Sequence, residues 1–285
     1  MTNQALLLTD QALAEPLGIG TITDQPGEEF PVFSPLANHL KAELADVLPD
    51  GIKVVMVKDK AAAAAAMAEG RLSIFIDSPA TACQVAEQAE GRLALKRWKS
   101  GVEKYRSVFF SADPQISTIE DLLGRVVAFE EPFSTSGYLL PLATLRQAGL
   151  PVERLSDPHQ RPKPGHVGYA FSGDEESSLQ WLISGLVSAA ALSEGDAPTE
   201  EGFTVFGHSD WVPRHVVTYG PSVSSDLEEE ISSVLLGLHE TEDGKALLAG
   251  FENTARFSRL GEDDLATVLR LLKSPQSSKD PDPAQ

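Results

Sequence analysis

Three hydroxyl side chains in succession, Ser134-Thr135-Ser136, stand directly before Gly137 and Tyr138 and behind a Pro-broken acidic pair, Glu130-Glu131-Pro132. Upstream runs the apolar stretch Val126-Val127-Ala128-Phe129, and downstream a helical pattern that closes at Gly149. A strand that stops and restarts as a helix behind such residues gathers donors. The first-turn N–H groups, the positive end of the helix dipole and the hydroxyls all point one way, which suits an oxyanion. Ser and Thr are also preferred helix caps, so capping alone remains the competing reading of each one. Three hydroxyls exceed what one cap uses, and Gly137 lets another group approach the backbone closely. A second helix start with the same chemistry is Asp77-Ser78-Pro79-Ala80-Thr81, with Pro79 fitting the first turn.

The elements that must position these two turns follow a repeated rhythm. Leu17–Ile22, Ile52–Val57 and Leu72–Ile76 read as strands. Between them Phe33–Leu48 reads as an amphipathic helix with Leu36, Leu40, Leu44 and Val47 on one stripe, and the alanine-rich run Lys60–Glu69 as a helix closed by Gly70. Strand patterns then fall at Leu93–Lys96 and Tyr105–Phe110, and a short capped helix at Ser117–Gly124. The rhythm restarts with a strand at Val126–Phe129, a helix at Gly137–Ala148, a strand at Val167–Phe171, a helix at Glu175–Ser184 and a strand at Val187–Leu192. Val212–Tyr219 is extended, and helices follow at Ser225–His239, Asp243–Phe251 and Asp263–Lys273. Two successive α/β modules of roughly a hundred residues each are the expectation. We expect one discontinuous lobe over 17–108 and 212–273, a second over 109–211, an N-terminal extension over 1–16 and a disordered tail over 274–285. The chain leaves one lobe, builds the other and returns, making two hinge crossovers.

With 285 residues, 42% of them hydrophobic, the chain can bury a substantial core. Its formal charge of −19 argues against nucleic acid and against anionic lipid surfaces. An anion would therefore be held by short-range N–H and O–H donors. A single cysteine, Cys83, leaves no intrachain disulfide and reads as a buried inert thiol. The six histidines, at 39, 159, 166, 208, 215 and 239, show no metal-ligand spacing. No cofactor, no metal and no Ser-His-Asp set is expected. The N-terminus carries no basic n-region or long apolar h-region, so no export signal is expected in the sequence as given. No run reaches the ~18 apolar residues of a membrane span. The basic groupings Arg97-Trp98-Lys99 and Arg214-His215 read first as solvated or salt-bridged, and second as cleft-lining. Tyr105 and Tyr138 are candidates to wall a ligand pocket, with plain packing the alternative.

Several pieces in order resemble one family. They are Gly70-Arg-Leu-Ser-Ile-Phe-Ile-Asp-Ser-Pro79, Tyr105-Arg106-Ser107-Val108, Ile119-Glu120-Asp121-Leu122-Leu123-Gly124 and Phe129 through Pro141 with its Ser-Thr-Ser-Gly-Tyr core. Phe171-Ser172-Gly173-Asp174-Glu175 and Asp243-Gly244-Lys245-Ala246-Leu247-Leu248 complete them. The chain is similar to the substrate-binding proteins of phosphate/phosphite/phosphonate ABC transporters, of the type II periplasmic-binding fold. The resemblance implies a two-lobed α/β flytrap of mixed sheets flanked by helices, not an enzyme, acting as a monomer with an ABC permease and ATPase in the periplasm or outside the cell. It implies a small oxyanion held by Ser134, Thr135 and Ser136 with backbone N–H groups at the helix start beside Gly137, and the Asp77-Ser78-Pro79 turn contributed by the first lobe. Where such proteins typically carry a Ser-His pair, this chain has Asp174 and Glu175, which turns donors into acceptors. Where they often show Ser-Ser-Asp, this chain reads Ser193-Glu194-Gly195-Asp196. A carboxylate in the cleft favours a ligand that is protonated or bears a cationic group. The alternative from another class is a cytosolic biosynthetic enzyme, or a ligand sensor, on the same fold.

Overall fold

The computed structural model describes residues 16–132, 134–199 and 202–273. The tail expected over 274–285, and all of the expected N-terminal extension except Pro16, lie outside them. One six-stranded sheet is built from β1 (Leu17–Ile22), β2 (Ile52–Val57), β3 (Ile74–Asp77), β4 (Arg92–Arg97), β13 (His215–Tyr219) and β14 (Phe257–Arg259), in the order β14-β4-β13-β3-β1-β2. β1 runs parallel to both β2 and β3, whereas β13 is antiparallel to β3 and β4. A second six-stranded sheet holds β6 (Ser107–Ser111), β7 (Val126–Phe129), β8 (Val152–Arg154), β9 (Val167–Phe171), β10 (Ala189–Ser193) and β11 (Thr204–His208), ordered β11-β6-β10-β7-β9-β8. A short antiparallel ribbon of β5 (Lys104–Tyr105) and β12 (Val212–Pro213) joins them, pairing Tyr105 with Val212. It contains both stretches on which the chain passes between the sheets.

The parallel strands need crossovers, and the helices that make them are amphipathic in the expected sense. α1 (Pro26–Glu43) buries Phe33, Leu36 and Leu40 on the first sheet. It starts earlier than its periodicity suggests and continues through Pro31 and Pro35, because burial of that stripe outweighs the two missing N–H donors. Val47, expected on the same stripe, lies beyond the helix and is exposed. α2 (Lys60–Ala68) is capped by the Asp59 carboxylate, which accepts from the Ala62 N–H at 2.7 Å. α3 (Pro79–Ala89), α4 (Leu140–Gln147), α5 (Glu175–Ile183), α6 (Ser225–Gly237), α7 (Glu242–Gly250) and α8 (Ala266–Lys273) complete the flanking layers. Gly20 of β1 has no room for a side chain, since a Cβ there would fall 1.6 Å from the Val55 carbonyl oxygen of the neighbouring strand.

Each sheet has its own core. In the first, Ile19, Ile74, Ile76 and Val217 meet Phe33 and Phe251, whose rings pack edge to face at 5.0 Å. In the second, Phe109, Val127, Leu145 and Val167 surround Phe129 and Tyr169. Each such buried side chain contributes ~1.5–3 kcal/mol. A third, smaller cluster spans both halves, with Ala80 and Cys83 of α3, Leu140 of α4, and Tyr105 and Val212 of the ribbon. It brings the start of α3 against the start of α4, so the two hydroxyl-bearing turns face one another.

Candidate functional site

The loop after β7 is fixed at both ends of Glu130, whose N–H donates to the Gly137 carbonyl at 3.0 Å and whose carbonyl accepts from the Gly173 N–H at 2.9 Å. The turn that follows, Thr135–Leu139, is not an ordinary α-turn. Its hydrogen bonds skip five residues, from the Leu139 N–H to the Ser134 carbonyl and from the Leu140 N–H to the Thr135 carbonyl. Pro141 explains this. It has no N–H, so it can serve neither the Gly137 carbonyl four residues back nor the Ser136 carbonyl five back. Glu130 N–H satisfies the first, and the buried Ser107 Oγ donates to the second at 2.6 Å. The helical run therefore starts two residues before the sequence pattern suggests, wound wide, with its first N–H groups at Thr135 and Ser136 lacking intrahelical acceptors.

Ser134 is the cap of this turn. Its Oγ accepts from the Gly137 N–H at 2.9 Å and donates to Glu130 Oε2 at 2.7 Å, so the hydroxyl is used twice within the protein. Gly137 is required here, because a Cβ would fall 2.2 Å from that same carboxylate oxygen. Glu130 thus lies over the turn. Thr135 is buried, and its Oγ1 lies beside the Tyr105 hydroxyl without hydrogen-bond geometry, leaving it without a partner. Ser136 is half-buried. Tyr138 turns away into an aromatic cluster with Phe129, Tyr169 and Phe171, its hydroxyl 3.3 Å from that of Tyr169.

Across the gap, the start of α3 is occupied by its own carboxylate. Asp77 accepts from the Ser78 N–H at 2.6 Å, the Thr21 hydroxyl at 3.0 Å and the Ile22 N–H at 3.3 Å. Burial pushes its pKa up, and these bonds moderate the rise. The Ser78 hydroxyl donates to Thr81 Oγ1 at 3.1 Å. Tyr105 stands between the two turns, its phenol pushed up to about 12 by burial, with the Arg214 guanidinium 4.6 Å over its ring.

The remaining walls are acidic. Asp174 caps α5 by accepting from the Ser177 N–H at 2.6 Å, which holds its carboxyl below the usual range. Glu175 is exposed as a residue, yet crowding around its carboxyl, together with Asp196 and Glu130, pushes it up to about 7 against the pull of Arg214. Burial also raises Glu130, with Asp196 and Asp174 adding to it and the Ser134 hydrogen bond opposing. Glu131 is raised by burial, by Glu130 and by Asp24, which reaches it from the first half of the molecule. The sequence alone does not single out Asp24 or Thr21, shows Asp196 only as the end of a run that departs from the family's Ser-Ser-Asp, and leaves Arg214 first as solvated or salt-bridged. Nothing in an extended Pro213-Arg214-His215 run says which side the guanidinium takes.

Two α/β halves joined by a paired double crossover, with helix starts facing across the gap, define the two-lobed binding-protein fold. The sequence matches the family model described as "ABC transporter, phosphonate, periplasmic substrate-binding protein" over residues 19–265, and the chain belongs to that family. No curated protein matches it. Among solved structures it is similar to XAC2383 from Xanthomonas citri bound to chloride ion, with TM-score 0.83 and 22% identity over 90% of this chain and 96% of that one. The ATP-bound form of XAC2383 aligns with TM-score 0.82 and 21% identity over 90% and 96% of the two chains. PhnD1 from Prochlorococcus marinus in complex with methylphosphonate aligns with TM-score 0.62 and 21% identity over 90% of this chain and 97% of that one.

Proposed function

We propose that this chain captures a small phosphorus oxyanion, namely phosphate, phosphite or a phosphonate, between lobes comprising residues 17–108 with 212–273 and residues 109–211. It delivers the ligand as a monomer to an ABC permease and ATPase from the periplasm or the cell exterior. It catalyses no reaction on its ligand. The observation that carries this reading is the wide turn at Thr135. Both carbonyls stranded by Pro141 are satisfied from elsewhere, while the Thr135 and Ser136 N–H groups and the buried Thr135 hydroxyl are left to an incoming acceptor. Tyr105 and Arg214 supply a further donor and a positive charge on the ribbon side. The methylphosphonate of PhnD1 and the ATP of XAC2383 both present phosphorus oxyanions, which agrees with this choice of ligand class. No described helix is long and apolar enough to cross a membrane, in keeping with a partner that supplies the membrane passage.

Calorimetric titration with phosphate, phosphite, methylphosphonate and 2-aminoethylphosphonate tests the proposal. One ligand per chain is expected for at least one of the four. Thr135→Val removes a donor to a charged group and keeps the shape, so it should weaken that ligand about tenfold to a hundredfold. The reading fails if none of the four binds, or if Thr135→Val and Ser136→Ala both bind like the parent.

A further inference from the structure

We infer that Glu130 meets the bound oxyanion through one shared proton, so that capture of the ligand takes up a proton at alkaline pH; this rests on the oxyanion reading above. The geometry begins with the carboxylate itself. Oε2 is tied to the Ser134 hydroxyl at 2.7 Å and lies directly over Gly137, in the same turn whose leading N–H groups stand ahead of any intrahelical acceptor. An anion seated on those N–H groups lies against a carboxylate. The buried, unpartnered Thr135 hydroxyl belongs to the same turn and marks the place as one that awaits an acceptor.

Two like charges at such range are costly, and a single proton between them converts the repulsion into a strong charge-assisted hydrogen bond. Either the ligand arrives protonated and its P–O–H donates to Glu130, or Glu130 is protonated and donates to a deprotonated oxygen. The complex is the same in both cases and contains one proton. The neighbours favour keeping it. Asp174 and Glu175 face Glu130 from the start of α5, Asp196 from the loop after β10, and Glu131 from the adjacent position, while Arg214 faces Glu175 from the ribbon. Burial raises Glu130, with Asp196 and Asp174 adding to it against the Ser134 hydrogen bond, so its proton is retained to higher pH than an ordinary glutamate's.

Titrating the full chain with methylphosphonate from pH about 5 to about 9 tests this. On the alkaline limb the affinity should fall about tenfold per pH unit, with close to one proton taken up per ligand in buffers of different protonation heat. Glu130→Gln keeps the shape and the Ser134 contact, and it should flatten the profile and abolish the uptake. Glu175→Gln should keep the uptake but move its midpoint to lower pH, because one neighbouring negative charge is gone. Uptake that persists in Glu130→Gln, or that disappears in Glu175→Gln, overturns the assignment to Glu130. Binding by the parent with no proton uptake overturns the proton-linked capture while leaving oxyanion capture standing. No binding of methylphosphonate, 2-aminoethylphosphonate, phosphate or phosphite at any pH overturns both.

Discussion

Glu175 shows at the scale of one residue how far chemistry depends on placement. Crowding around its carboxyl pushes it up to about 7 in the folded chain from an ordinary 4.5, so the folded state holds its proton more tightly. Below the ordinary value both states are protonated, and nothing is gained or lost. As pH rises from 4.5 to about 7 the unfolded chain has released the proton and the folded one has not, so stability falls through that window and then levels. Glu175→Gln should therefore gain stability relative to the parent across that window and hold the gain at pH about 8, by urea unfolding. Parallel stability profiles would show that the carboxyl is solvated normally. The sequence made Glu175 visible as an acceptor where similar proteins have donors. It did not show Glu130 lying over Gly137, because the direction of a side chain leaving a strand depends on the Gly173 and Gly137 bonds that pin its backbone.

The wide turn is where element-level reading met its limit. Hydroxyls, Gly137 and Pro141 were all legible, and the helix after them was expected; the winding was not. It follows from one missing N–H at Pro141 and from two substitute donors, the nearby Glu130 N–H and the distant Ser107 hydroxyl on the strand after the ribbon. Ser107→Ala takes the donor from the half-buried Ser136 carbonyl and should cost about 1–3 kcal/mol in chemical denaturation. Pro141→Ala restores a local donor, so the double variant Ser107→Ala/Pro141→Ala should recover part of that loss. Additive losses would mean that Pro141 does not set the winding. Elsewhere the strong periodicities translated directly, as in Glu175–Ile183 and Glu242–Gly250. The short strands β8, β11 and β14 escaped because three to five residues at a sheet edge carry little pattern of their own.

At the scale of the whole molecule the halves are joined by very little chain, and charges reinforce the junction. Asp264, almost fully buried, meets Lys96 Nζ at 2.9 Å and Lys104 Nζ at 3.0 Å, and Lys96 also pairs with Glu103. One carboxylate thus ties β4, β5 and the approach to α8 together. Asp264→Ala strands the buried Lys96 with a single partner and should cost about 3 kcal/mol, lowering the melting temperature by roughly 6–10 °C. A melting temperature within about 1 °C of the parent would show that Glu103 alone suffices. The formal charge of −19 restricts any anion site to short-range donors, but it does not reveal that Arg214 is the cation set beside Tyr105.

The two passages of the chain between the sheets lie side by side, and Tyr105 is one of the few residues that form them, paired with Val212. Ser107, two residues beyond Tyr105, donates to the Ser136 carbonyl at 2.6 Å, so the wide turn is anchored within a few residues of that double passage. A change in the pairing of Tyr105 with Val212 is therefore felt at the Thr135–Ser136 turn directly, with no long chain of contacts in between.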